Sequence, residues 1–206
     1  MGIPVLILGE SGSGKSTSLR NFEPEEVGVF NVAGKPLPFR KKLAVCNLKQ
    51  NGEAYGKILN ALSKPKLKTY VIDDSQYLMA FEQIRRASES GFGKYTEIGK
   101  NFSSLITYVT DCVPADVIVY FLHHIDHSED GRIKAKTVGK LIDNWLTLEG
   151  LFTIVLLAEA VDGKHTFRTK TNGFDTVKTP MDMFQEESID NDLKAVDKAI
   201  RDFYEM

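Results

Sequence analysis

Gly9-Glu10-Ser11-Gly12-Ser13-Gly14-Lys15-Ser16 follows directly on the apolar run Ile3-Pro4-Val5-Leu6-Ile7-Leu8. A strand that gives way to a glycine-rich turn ending in lysine and a hydroxyl is the opening of a strand–loop–helix unit, and it commits the chain to an α/β architecture. The glycines let the backbone curl until its N–H groups point inward at an anion, and a helix opening near Lys15 adds the positive end of its dipole. Phosphate oxygens fit such a cradle. Lys15 is placed to bridge the β and γ phosphates of ATP, and the Ser16 hydroxyl to ligate the Mg²⁺ that arrives with the nucleotide. The expected nucleotide-binding residues are Gly9, Glu10, Ser11, Gly12, Ser13, Gly14, Lys15, Ser16 and Thr17, with Thr17 capping or packing locally. The full pattern arises by chance in roughly one chain in a hundred of this length, so a ligand-free turn is the weaker reading.

The rest of the chain alternates in the same style. Val27–Val32 reads as a second strand, Thr69–Asp74 as a third ending in two carboxylates, Val117–Leu122 as a fourth and Leu151–Leu157 as a fifth. Helical patterns lie between them at Glu53–Leu62, Tyr77–Ala87 and Tyr95–Val113. Ala33–Lys42 reads as an irregular basic loop. Continuous apolar runs suit a mostly parallel sheet covered on both faces by helices. The carboxyl-terminal part departs from the alternation. His165–Lys170 and Thr171–Thr176 pattern as a hairpin, and Ile189–Tyr204 as a helix capped by Asp190 or Asn191. With 206 residues, 42% of them hydrophobic, and no long glycine, serine or proline tract, a single domain is expected.

Asp73 stands where magnesium needs a second protein group beside Ser16, acting through the ion's water shell; a solvated strand-end carboxylate is the alternative. Asp74 is a candidate to orient or deprotonate the attacking water. His123-His124-Ile125-Asp126-His127 follows the fourth strand. Without accompanying cysteines a zinc site is disfavoured, and His123 or His124 is expected either to sense the γ phosphate or to sit as a satisfied imidazole. Arg168 and Lys170, two residues apart, fall on one face of a strand and could reach a neighbouring subunit's γ phosphate; exposed hairpin charges are the plainer reading.

A net charge of −2 excludes affinity for nucleic acid from an overall basic field, leaving local patches. Two such patches stand out, Arg85-Arg86 with Lys94 and Lys100, and Arg132, Lys134, Lys136 and Lys140; Phe92 and Tyr95 are available for stacking on bases. Each patch is alternatively ordinary solvated surface. Cys46 and Cys112 lack metal-ligand spacing, no basic leader precedes the first strand, and no apolar segment approaches 18 residues, so a reduced, cytoplasmic location without membrane contact is expected.

Gly9–Ser16, Tyr70-Val71-Ile72-Asp73-Asp74, Phe121-Leu122-His123-His124, Arg168-Thr169-Lys170 and Asn191-Asp192-Leu193 together resemble the RecA-like branch of P-loop ATPases. The likeness is greatest to the small bacteriophage ATP-binding proteins of that branch, some of which are single-strand annealing recombinases. The resemblance implies a RecA-like core with a carboxyl-terminal hairpin and helix, ATP hydrolysis at interfaces of a homo-oligomer, and single-stranded DNA as partner in phage recombination or replication. The chain departs from the family pattern after the second strand, where Ala33-Gly34-Lys35-Pro36 stands in place of a catalytic glutamate. That departure keeps open a nucleotide-controlled interaction protein with little hydrolysis, such as a helicase loader. A small-molecule phosphotransferase fits less well, because Ser128–Lys140 holds one arginine and makes a poor lid.

Overall fold

A computed structural model describes residues 1–48, 52–139, 143–144 and 146–206. Six strands run parallel in the order β3 (Ala44–Asn47), β2 (Val27–Asn31), β4 (Thr69–Asp73), β5 (Ile118–His127), β1 (Ile3–Gly9) and β7 (Ile154–Val161). Beyond β7 the sheet turns antiparallel through β8 (Lys164–Arg168) and β9 (Ser188–Asp190). A short β6 (Ile133–Ala135) folds back on the end of β5.

The unbroken apolar runs are explained by burial on both faces. Leu6 and Leu8 of β1 point to one side with α1 (Ala54–Ser63), α2 (Gln76–Arg85) and α3 (Gly93–Cys112), whereas Val5 and Ile7 point to the other. On α3 the buried residues Ile98, Phe102, Leu105, Ile106 and Val109 recur at helical spacing and form the stripe that meets the sheet. The opposite face is covered by a short 3₁₀ helix, Ser16–Asn21, and by α4 (Leu193–Tyr204), which bury Leu19, Leu193, Val196 and Ile200. Each such aliphatic side chain contributes roughly 1.5–3 kcal/mol. The fold is therefore α/β, a mostly parallel mixed sheet between helical layers, compatible with a Rossmann-like core. Among the described residues no helix is long and apolar enough to cross a membrane. Cys46 and Cys112 are both free and exposed.

Several boundaries differ from the pattern-based expectation. The helix after the glycine-rich loop is two turns of 3₁₀; the Ser18 hydroxyl bonds back to the Lys15 carbonyl and Pro24 lies just beyond. β3 lies outside the expected strands; it is a mostly exposed edge strand with little apolar signal. The hairpin is made by β7 and β8 across Asp162-Gly163, both at positive φ, and Thr171–Thr176 forms no strand. β8 ends at Arg168, so Arg168 and Lys170 do not share a strand face. The terminal helix starts later than expected, because Ser188–Asp190 is taken by β9 and the cap is Asp192, whose carboxylate accepts from the Lys194 and Ala195 amides.

Candidate functional site

The loop Gly9–Ser16 leaves the carboxyl end of β1 in the middle of the parallel sheet, where strand ends and loops converge. Gly12 and Gly14 have φ of 84° and 96°, which a side chain would strain, and a Cβ on Gly14 would come 2.9 Å from His165 Nδ1 and 3.2 Å from Asn191 Nδ2. His165 of β8 and Asn191, at the entry to α4, thus close one flank of the loop. Ser13 Oγ and Asn191 Nδ2 are buried there without a hydrogen-bond partner among the described residues.

Lys15 is folded back into the loop. Its ammonium donates to the Gly9 and Glu10 carbonyls, each at 2.8 Å. Burial pulls its pKa down to about 8, against the opposing pull of the Asp74, Asp73 and Glu10 carboxylates. The next residue reaches across the sheet: Ser16 Oγ donates to Asp73 Oδ1 at 2.8 Å. Asp73 is buried at the end of β4, and burial raises its carboxyl above the usual range while the Ser16 bond partly offsets the rise.

β5 lies between β1 and β4, in register so that His123 pairs with Leu8 and His124 with Gly9. The two imidazoles diverge. His123 is fully buried, 5.6 Å from the Phe102 ring of α3, with Nδ1 2.9 Å from Ser75 Oγ and Nε2 2.8 Å from the Lys136 carbonyl. Burial pulls its pKa down to about 4, so the ring is neutral; Nε2–H donates to the carbonyl and Nδ1 accepts from Ser75. His124, not His123, meets the carboxylate pair: its Nε2 stands 3.1 Å from Asp74 Oδ1. Tyr77 stacks edge-on against His124 at 5.7 Å. His127 lies beside Glu10 at 3.5 Å.

Asp74 has φ of 59°, a left-handed conformation uncommon for a residue with a side chain. Its second oxygen is held by Lys35 Nζ at 2.6 Å. Burial alone would raise the carboxyl, but the bonds from His124 and Lys35 outweigh it and hold it at about 2. With both oxygens engaged and its carboxyl held low, Asp74 is a poor acceptor for a water proton. Lys35 itself is raised, chiefly by its bond to Asp74.

Ser16 and Asp73 suit magnesium chemically: a hydroxyl and a carboxylate are hard oxygen donors, and this ion takes few protein ligands when phosphates supply the rest. Among the described residues no three His, Cys, Asp or Glu side chains group to hold a metal without such help. Lys15, Ser16, Asp73, Asp74 and His124 thus form one cluster. Arg168 is elsewhere engaged, making a two-pronged pair with Glu159 at 2.6 and 3.0 Å and a third bond to Asp175 at 3.1 Å. Lys170 is exposed and donates to the Gln185 carbonyl at 2.8 Å.

No protein-family model matches this chain, and no curated protein matches it significantly.

Two basic patches were expected beside the site. Phe92 and Tyr95, together with Gln76, Gln83, Lys136 and Val138, line a cleft of 580 Å³ between one side of α2, the start of α3 and the segment after β6. Of the cations, Arg86 is tied to Glu82, Glu89 and Glu97, and Lys134 pairs with Asp143 at 2.5 Å. Lys140 lies outside the described residues. Lys35 and its buried neighbour Asn31 escaped the sequence reading as site residues, although an Asn four residues before a lysine, with an intervening glycine, is a legible turn signal.

Proposed function

We propose that this chain is a magnesium-dependent ATP-binding protein and ATPase of the RecA-like type. The Ser16–Asp73 hydrogen bond carries the reading: residues 57 apart in sequence, one on the glycine-rich loop and one on a strand end, meet at 2.8 Å beside the Lys15 ammonium. ATP entering the loop would draw Lys15 from the Gly9 and Glu10 carbonyls onto its β and γ phosphates. Ser16 and Asp73 would hold the magnesium ion, which when bound neutralises charge on the phosphate oxygens. The orphaned Asn191 Nδ2 and Ser13 Oγ offer further polar contacts on the loop's flank. The test is nucleotide titration of Lys15→Ala: magnesium-dependent ATP binding is expected to be lost, and unchanged binding refutes the proposal.

Single-stranded DNA is proposed as the partner, lying in the cleft of Phe92, Tyr95 and Lys136, where aromatic stacking and a cation occur together. Binding to a labelled oligonucleotide should weaken steeply as salt rises; no binding at low salt removes this part. Annealing or recombination in a phage setting rests on the resemblance alone. Assembly into a homo-oligomer with a shared site would require Arg168 to leave Glu159 and Asp175, whereas Lys170 gives up one carbonyl contact.

A second reading, a nucleotide-controlled interaction protein with little hydrolysis, is favoured by one observation: both oxygens of Asp74 are already bonded, which makes this carboxylate a poor base for the attacking water. Turnover measured with and without single-stranded DNA separates the two.

A further inference from the structure

Among the described residues Lys35 is the one cation at this site that sequence patterning does not single out, and three observations fix its place. The turn that carries it is built by Asn31, the register partner of Asp73 on the adjacent strand. Asn31 is buried; its Oδ1 accepts from the Gly34 amide at 2.8 Å and its Nδ2 donates to the Lys35 carbonyl at 2.6 Å, with Gly34 at φ of 69°. The ammonium then lies 2.6 Å from Asp74 and 6.0 Å from the centre of the Tyr77 ring, while the side chain remains 64% exposed. Stability does not explain the arrangement, because an ion pair with so exposed a partner is worth little. The result is a pair of adjacent carboxylates, Asp73 and Asp74, with two lysines, Lys15 and Lys35, each close enough to feel both of them, and with Lys35 near enough to act on Lys15.

We propose that Lys35 is a catalytic residue that supplies, from within the same chain, the cation that contacts the transferring γ-phosphoryl group. The proposal rests on the reading of the site as an ATPase. Lys35 swings from Asp74 on its flexible, solvent-exposed stem, and Asp74, held by His124, is the positioning residue that aims it. In the hydrolysis it assists, the water oxygen bonds to the γ phosphorus as the bond from that phosphorus to the bridging oxygen breaks. ADP leaves with the electron pair, and the protons of the water remain on the inorganic phosphate formed. Lys35 stays protonated throughout and meets the charge that gathers on the γ oxygens.

The test compares wild type, Lys35→Ala and Lys35→Arg in three measurements: ATP affinity, turnover, and affinity for ADP with and without aluminium fluoride. Lys35→Ala should bind ATP and ADP within about threefold of wild type, yet turn over roughly 10²-fold more slowly and lose the extra affinity that aluminium fluoride confers. Lys35→Arg, which keeps the charge, should recover part of the loss. Equal or faster turnover in Lys35→Ala overturns the proposal, the faster case revealing a latch that restrains Asp74. Parallel loss of ADP and aluminium fluoride affinity also overturns it, as a structural role, and so does ATP binding by wild type without turnover. Absence of ATP binding by wild type refutes the ATPase reading itself, and the inference with it.

Discussion

Single residues in this site divide into those held by charge and those held by burial. Asp73 and Asp74 are neighbours in sequence but opposite in environment: burial raises the first, while two donors lower the second to about 2. Asp73→Asn should therefore reduce magnesium-dependent ATP affinity by at least about tenfold while leaving the fold intact, measured by titration with and without magnesium. His123 is held by burial, and its effect is on stability. Its folded pKa is about 4 against an ordinary 6.5, so between these values the unfolded chain takes up a proton that the folded chain refuses. Stability is fully present above pH 6.5 and declines as pH falls toward 4, by up to about 3 kcal/mol. Denaturant midpoints across that range should show the loss, and a His123→Gln variant should show less of it.

At the scale of elements, α4 is tied to the sheet by more than its apolar stripe. Asp197 on its inner side accepts from Thr69 Oγ1 at 3.0 Å, from the Tyr120 hydroxyl at 3.1 Å and from Arg201 Nε at 2.7 Å, joining the helix to β4 and β5. Tyr120 is fully buried, so removing its acceptor leaves a polar group with nowhere to turn. Asp197→Ala is expected to cost roughly 3 kcal/mol in chemical denaturation. Asp192→Ala, which removes the amino-terminal cap and an exposed bond from Asn21 Nδ2, should cost about 1 kcal/mol. A reversal of that order would mean that the helix end, not the buried network, anchors α4.

For the whole molecule, the parallel centre of the sheet and its antiparallel flank serve different ends. The parallel part brings the ends of β1, β4 and β5 side by side, which is why the loop, the carboxylates and the histidines share one edge. The flank, β7 to β9, ties up Arg168 against Glu159. With Lys35 supplying the cation from within the chain, turnover per chain should not change with protein concentration. A steep rise with concentration would instead bring Arg168 or Lys170 of a second copy into the site.

Sequence alone determined the central strands and the glycine-rich loop, because both rest on local signals: unbroken apolar runs for strands buried on two faces, and glycine, lysine and serine at fixed spacing for the turn. The edge strands and the hairpin partner were not legible. β3 and β9 are short and exposed, and which strand β8 joins depends on a turn at Asp162-Gly163 that competes with others nearby. Only the tertiary structure decided which histidine meets Asp74, that Arg168 is already engaged, and that Lys35 pairs with Asp74. Side-chain partnership across a sheet depends on strand order and register, and neither is written in the residues next to one another along the chain.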